Sequence, residues 1–260
     1  MAQDSRPGNY FAFNSAAERY VKGRPNFQPR IISQIQQTLQ LSQPVPRALD
    51  AGCGTGLSTM ALRPLAAHII GTDISEAMLA MAQPDPQITY MQAPAENLPF
   101  PNGYFDFITI SQAFHWVDQP KFLAESRRVL RKNAFLVIYE NHFKGVMLHY
   151  PEFHTWFREV FLPRFPRTPR SEVHFTGEEA QRYQFELYAQ ETFPHLLTFT
   201  IDSLIAYFIS LSHVIAFIEF GNDTVDSIEN WLKGQLQPFF QNSAERQCAL
   251  EAPIWYLQAI

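Results

Sequence analysis

Three glycines within five residues, Gly52, Gly54 and Gly56 in "ALDAGCGTGLS", follow a short apolar run and stand between two aspartates, Asp50 and Asp73. Glycines so spaced let the backbone bend sharply and bring its N–H groups close to a ligand. The dinucleotide loop G-x-G-x-x-G places its third glycine one residue later, where this chain has Leu57, and a phosphate-binding P-loop needs a lysine that this loop lacks. Asp50 immediately precedes the loop, where a carboxylate repels a pyrophosphate but attracts an ammonium or sulfonium group. Asp73, in "IIGTDIS", follows the loop by about 20 residues, the interval at which ribose-binding acids occur.

A ligand that suits both acids carries cations at one end and a ribose at the other. S-adenosylmethionine has both. His115 in "SQAFHWVD" is a candidate proton acceptor, because imidazole ordinarily changes charge near neutral pH; the competing role is a ring packed beside Trp116. Cys53, inside the loop and without a base nearby in sequence, reads as a small filler and not a nucleophile. Asp106 in "YFDFITI" reads as a structural residue at a strand start. His142, His149 and His154 are loosely spaced and lack partner ligands, so no metal site is expected.

These residues need elements to hold them. "RALDA", "HIIGTD", "ITYMQA", "YFDFITI" and "FLVIYE" are short β-rich runs that alternate with helical segments "LSTMALRPL", "SEAMLAMA" and "PKFLAESRRVLR". Runs this apolar have no wet face, which predicts a parallel sheet covered by helices on both sides, an α/β doubly wound, Rossmann-like fold. The chain closes on the strand-like "APIWYLQAI", expected to add an antiparallel strand. Ser15-Ala-Ala-Glu18 has capping-box spacing, predicting a helix that carries Tyr20 and stops at Arg24-Pro25. Ile31, Ile32, Ile35 and Leu39 recur at helical spacing in a second helix, and Val225, Ile228, Leu232 and Leu236 do so in a later one, with a further helix over 201–211. Phe153, Phe157, Val160 and Phe161 mark a helical cap, followed by the Pro-rich "PRFPRTPR". The expected organisation is an N-terminal helical segment over 1–45, a ligand-binding core over 46–141, and a helical cap with the last strands over 142–260.

With 46% hydrophobic and 17% charged residues, the 260-residue chain has the composition of an ordered globular protein. A net charge of −5 supplies no basic field for nucleic acid or anionic membrane, so neither is an expected partner. Two cysteines are too few for a disulfide framework, the first eight residues are polar, and no long uncharged apolar run occurs. A cytoplasmic protein is expected.

The segments "ALDAGCGTG", "GTDISEAML", "APAENLPFPNGYFDFITISQAFHW" and "ESRRVL" resemble, in order and spacing, the class I S-adenosylmethionine-dependent methyltransferases, and among them the type-11 group that includes trans-aconitate methyltransferases and the malonyl-carrier methyltransferase of biotin synthesis. The resemblance spans about residues 10 to 141. It implies that Gly52 and Gly54 approach the methionine part of the cofactor with Asp50 near its amino group, that Asp73 holds the ribose, and that Ile74 packs on the adenine. Ala95 and Glu96 match the segment at the adenine edge, and Ser111 matches a position beside the methionine chain. Tyr20 and Arg24, with Pro25, match a segment that folds over the cofactor. The family's Pro-Gly-Gly turn is Lys132-Asn133-Ala134 here, and Asn tolerates a positive φ. What the resemblance implies is methyl transfer to a small-molecule acceptor, on a carboxylate or hydroxyl oxygen; the alternative is a non-catalytic binding protein of the same fold. An NAD-linked oxidoreductase is opposed by Leu57.

Overall fold

The computed structural model describes residues 13–167 and 175–260; the polar N-terminal residues 1–8 and the end of the Pro-rich turn lie outside them. In chain order the elements are α1 (Asn14–Gly23), α2 (Gln28–Thr38), β1 (Val45–Ala51), α3 (Leu57–Ala61), β2 (Ala66–Asp73), α4 (Glu76–Leu79), β3 (Ile88–Gln92), β4 (Phe105–Ser111), α5 (Gln119–Val129), β5 (Leu130–Tyr139), β6 (His142–Met147), α6 (Pro151–Trp156), α7 (Leu162–Arg164), α8 (Gly177–Arg182), β7 (Phe185–Thr200), α9 (Ile201–Ile209), α10 (Ser212–Glu219), α11 (Val225–Leu236) and β8 (Glu245–Ala259). They form two compact units, Asn26–Asn141 with Arg170–Phe193 and Ala252–Ile260, and Met1–Pro25 with His142–Pro169 and Pro194–Glu251.

The first unit holds the sheet. Its strands run in the order β3-β2-β1-β4-β5-β8, the first five parallel and β8 antiparallel to β5, with Phe135 opposite Gln258 and Tyr139 opposite Ile254. The centre is fully enclosed, as apolar strands require: Leu49, Ile108, Ile110, Leu136 and Ile138 are buried, joined by Phe105 and Phe122. β7 also pairs with β8. The expected α/β, mostly parallel sheet with an antiparallel C-terminal strand is the observed one, and β8 begins earlier than the sequence pattern suggests. α2 belongs to this unit rather than to an N-terminal segment ending at residue 45. Ile31, Ile32 and Ile35 bury its inner face, and Gln34 and Thr38 each donate to Glu191 of β7 at 2.9 Å. The Lys132-Asn133-Ala134 segment expected as a turn lies instead within β5, where the register with β4 is interrupted and Asn133 takes φ +64°.

The second unit is mainly helical, with β6 paired to the first half of β8. Its core is aromatic: the Phe143 ring lies 5.3 Å from Phe157 and 5.5 Å from both Tyr207 and Phe208, and Phe161 lies 4.6 Å from Phe208. The expected capping box at Ser15 is absent. The N-cap is Phe13, and Ser15 instead donates to Glu219 at 3.0 Å. Gly23 lets α1 approach α9 closely, because a Cβ there would come within 2.1 Å of the Ala206 carbonyl oxygen. Among the described residues no single helix is long and apolar enough to cross a membrane.

Candidate active site

The C-terminal ends of β1 to β5 gather most of the residues singled out from the sequence. β1 ends in the glycine loop, where Gly52, Gly54 and Gly56 all have positive φ, +65°, +54° and +81°. A Cβ at Gly52 would fall 2.7 Å from the Cβ of Ala113, so this loop touches the connection that carries His115. Gly56 is the left-handed N-cap of α3, and a Cβ there would fall 2.4 Å from the Tyr90 hydroxyl oxygen. The third glycine therefore serves the strand–helix turn over Tyr90.

Asp50 is fully enclosed. Its carboxylate accepts from the hydroxyls of Ser58 at 2.6 Å, Thr59 at 2.7 Å and Thr109 at 3.0 Å. Burial pushes its carboxyl up to about 6; the three hydroxyls oppose that shift and the nearby Asp73 adds to it. In this arrangement Asp50 joins β1 to α3 and β4, and its charge reaches the loop through space. Cys53 is buried, its thiol raised by burial and by the two aspartates, which keeps it protonated and inert.

Asp73, at the end of β2, fixes the loop directly: one carboxylate oxygen accepts the Gly54 N–H and the other the Ser75 N–H, each at 2.8 Å. Burial raises its carboxyl above the ordinary carboxylate range, against the pull of those N–H donors. Each oxygen retains lone-pair capacity for a further donor. Next to it Ile74, an apolar side chain, is 71% exposed among the described residues. Its carbonyl accepts from Gln92 at 3.0 Å, and the Ala93 N–H donates to the Asp73 carbonyl, so the loops after β2 and β3 are tied together. Ala95 is buried, and Glu96 accepts the Asp118 N–H at 2.8 Å. Glu96 thus links the connection after β3 to the N-cap of α5.

Ser111 ends β4 opposite Tyr139, and His115 follows on a single 3-10 turn, Phe114–Trp116. Its Nδ1 lies 3.0 Å from Oε1 of Glu140, the residue after β5, with side chains 8% and 6% exposed. The His115 ring also lies 4.8 Å from that of Trp116, so it is both packed and paired. Tyr20 and Arg24 are held within the helical unit. The Arg24 guanidinium donates to the Ser210 carbonyl at 3.2 Å and lies over the rings of Tyr20 and Tyr207 at 4.8 and 5.7 Å. Asp106 is structural: it accepts the Arg47 N–H at 3.0 Å and pairs with Arg131 at the far end of the sheet.

Glu140 and the Ser58–Thr59–Thr109 hydroxyls are the residues that reading the sequence missed. Glu140 was legible as an acid ending the apolar run "FLVIYE", at a strand end where α/β sheets place functional groups. The loop fits an adenosyl ligand on three counts: glycines whose Cβ positions are closed off, a ribose-type acid anchored at Gly54, and an uncovered Ile74. Among the described residues no three His, Cys, Asp or Glu side chains converge as metal ligands.

Comparison with known proteins agrees with this arrangement. Residues 49–138 match the methyltransferase domain family. The chain is 26% identical over 220 residues to a candidate methyltransferase of Dictyostelium discoideum, covering 82% of this chain and 81% of that one. It is 38% identical over 99 residues to the demethylmenaquinone methyltransferase of Clavibacter sepedonicus, covering 36% and 40%. A candidate type II methyltransferase structure from Anaeromyxobacter dehalogenans shares the fold, with a TM-score of 0.65, 23% identity, and coverage of 87% and 94%.

Proposed function

The chain belongs to the type-11 S-adenosylmethionine-dependent methyltransferases, and on that premise we propose that it transfers a methyl group to an oxygen of a small-molecule acceptor, a hydroxyl or a carboxylate. S-adenosylmethionine supplies an activated methyl group on a sulfonium sulfur that departs as a neutral thioether. What remains for the protein is to bind, align and exclude water, which in well-oriented systems is worth roughly 7 to 11 kcal/mol.

The observation that carries the reading is the Gly54–Asp73–Ile74 cluster. Asp73, anchored by two backbone N–H groups, receives the ribose hydroxyls, and the uncovered Ile74 receives the adenine face. Ala95 and Glu96 border the adenine edge, with Glu96 held by Asp118. Gly52 and Gly54 present backbone to the methionine part, and Ser111 stands at the neighbouring strand end. Asp50 acts from behind the loop, offering negative charge to a cationic ligand while its oxygens stay on Ser58, Thr59 and Thr109. His115 is the proposed proton acceptor. The relative named for methylating demethylmenaquinone supports a small-molecule acceptor.

The test is calorimetric titration with S-adenosylmethionine, S-adenosylhomocysteine and NAD, followed by a methyl-transfer screen read by mass spectrometry. The expected result is micromolar binding of both adenosyl compounds, none of NAD, and transfer to an oxygen acceptor. Binding without transfer to any acceptor would leave a non-catalytic binding protein instead.

A further inference from the structure

Two features of the strand ends bear on the methyl acceptor. The first is that Glu140, almost wholly buried, faces an imidazole instead of a lysine or arginine. A carboxylate accepts from Nδ1–H and so fixes the neutral ring with its lone pair on Nε2; it also stabilises the imidazolium formed when Nε2 takes a proton. Among the described residues Nε2 has no hydrogen-bond partner. The second is a matter of charge. The connections leaving β1 to β5, residues 52–56, 74–75, 93–104, 112–118 and 140–141, contain no Lys or Arg, while Glu96, Asp118 and Glu140 lie in them and Asp73 borders them. The cation nearest in sequence, Lys121 of α5, is 72% exposed and pairs with Asp118. Arg24, in the helical unit, is engaged with Ser210, Tyr20 and Tyr207.

We infer that His115 and Glu140 form a proton-accepting pair, with Glu140 as the positioning residue, and that the methyl acceptor is a neutral hydroxyl compound. The inference rests on the methyl-transfer reading above and narrows it. A carboxylate acceptor needs no base and would enter a unit whose strand-end connections carry acids and no Lys or Arg, with the neighbouring Lys121 already taken by Asp118. A hydroxyl must lose its proton as its oxygen forms the new bond to carbon. That proton goes to Nε2 of His115, the methyl group takes its place on oxygen, the electrons of the broken C–S bond stay on sulfur, and the imidazolium returns the proton to solvent.

The experiment uses the full chain with S-adenosylmethionine, matched panels of alcohols, phenols and carboxylic acids, and the variants Glu140→Gln, Glu140→Asp and His115→Gln. Nitrogen-15 NMR of the histidine ring, without cofactor, reads the tautomer. The expected results are transfer to hydroxyl and not carboxylate acceptors, a fall in kcat of at least about 100-fold in Glu140→Gln with the cofactor KM unchanged, and partial recovery in Glu140→Asp. The wild-type ring should show the Nδ1–H tautomer, and Glu140→Gln a mixture. The acceptor preference and the wild-type tautomer need no substitution, so they decide the matter even if a variant fails to fold. Transfer to carboxylic acids, an Nε2–H ring, or full-rate hydroxyl transfer in Glu140→Gln would overturn the inference and leave the methyltransferase reading standing. Transfer to neither class despite cofactor binding would overturn both.

Discussion

The two ends of the same sheet treat their acids differently. At the N-terminal ends, Asp106 pairs with Arg131, and Glu125 pairs with Arg128, whose guanidinium also donates to the carbonyls of Leu98 and Phe100 at 3.0 and 2.7 Å. At the C-terminal ends, Asp50 is met by hydroxyls, Asp73 and Glu96 by backbone N–H groups, and Glu140 by an imidazole. The electrostatic consequence is opposite in sign. The Arg128 hydrogen bonds hold Glu125 below the usual carboxylate range, whereas burial drives Asp50 and Asp73 above it. Hydrogen-bond dipoles keep a buried acid tolerable without neutralising it, so the uncompensated charge is left at the end where a cationic ligand is proposed to recover the cost.

The largest effect that sharpens this contrast is expected at Asp73. Asp73→Ala frees the Gly54 and Ser75 N–H groups that the carboxylate holds and, on the proposed reading, removes the acceptor for two ribose hydroxyls. Hydrogen bonds to a charged group are worth about 1.5 to 3 kcal/mol each, so cofactor affinity should fall by about 100-fold or more in a calorimetric titration. An unchanged affinity would remove the ligand from this end of the sheet. Gly56→Ala comes next and acts on the scaffold. It forces a Cβ onto φ +81° and into the Tyr90 hydroxyl, a combined cost of about 2 to 4 kcal/mol in chemical denaturation. Gly221→Ala is the control, because φ there is +75° but nothing lies within 4 Å of the added carbon. It should cost about 1 kcal/mol, and equal losses at both sites would show that the Tyr90 contact is immaterial.

How far the sequence carried this picture depended on whether the signal was local. Strand runs such as "FLVIYE", the glycine spacing, Asp73 at its strand end and the positive φ of Asn133 were legible, because each is decided by a few neighbouring residues. The capping box at Ser15 was not, since Glu219, remote in sequence, offers Ser15 and Arg19 a stronger charged partner than the backbone. α3 and α4 proved to be five and four residues long where the apolar pattern suggested more. Ser75 caps α4 and Asp73 binds the Ser75 N–H, so that helix begins where the loop needs it. Asp50's hydroxyl partners and the His115–Glu140 pair were hidden for the same reason: Thr109 and Glu140 reach their partners only once β1, β4 and β5 lie side by side.

The pH dependence of Asp50 tests the charged end at smaller amplitude. Its carboxyl rises from 3.8 to about 6 on folding, so the fold favours the protonated acid. The stability this contributes is fully present below about pH 4 and lost as pH rises through about 6, a swing on the order of 3 kcal/mol. A cationic ligand has the reverse preference, since it favours the ionised carboxylate. Cofactor affinity should therefore rise between pH 5 and 7, by up to about tenfold per unit below pH 6, with proton release detectable by calorimetry in buffers of different ionisation enthalpy. In Asp50→Asn both slopes should flatten; a slope that survives belongs to another group.

The smallest effect is expected at the opposite end of the sheet, and it bears on the comparison as a whole. Arg131→Ala unpairs Asp106, yet the arginine side chain is 45% exposed and Asp106 keeps the Arg47 N–H. Exposed pairs of this kind are worth up to about 1 kcal/mol, so the melting temperature should drop by a few degrees at most. Cofactor affinity should stay within about twofold, because the charge added lies across the sheet from the glycine loop and is screened by solvent. If Arg131→Ala weakened cofactor binding as Asp73→Ala is expected to, the neutralised end would be coupled to the ligand as strongly as the charged one. The separation of scaffold acids from ligand acids would then have no basis.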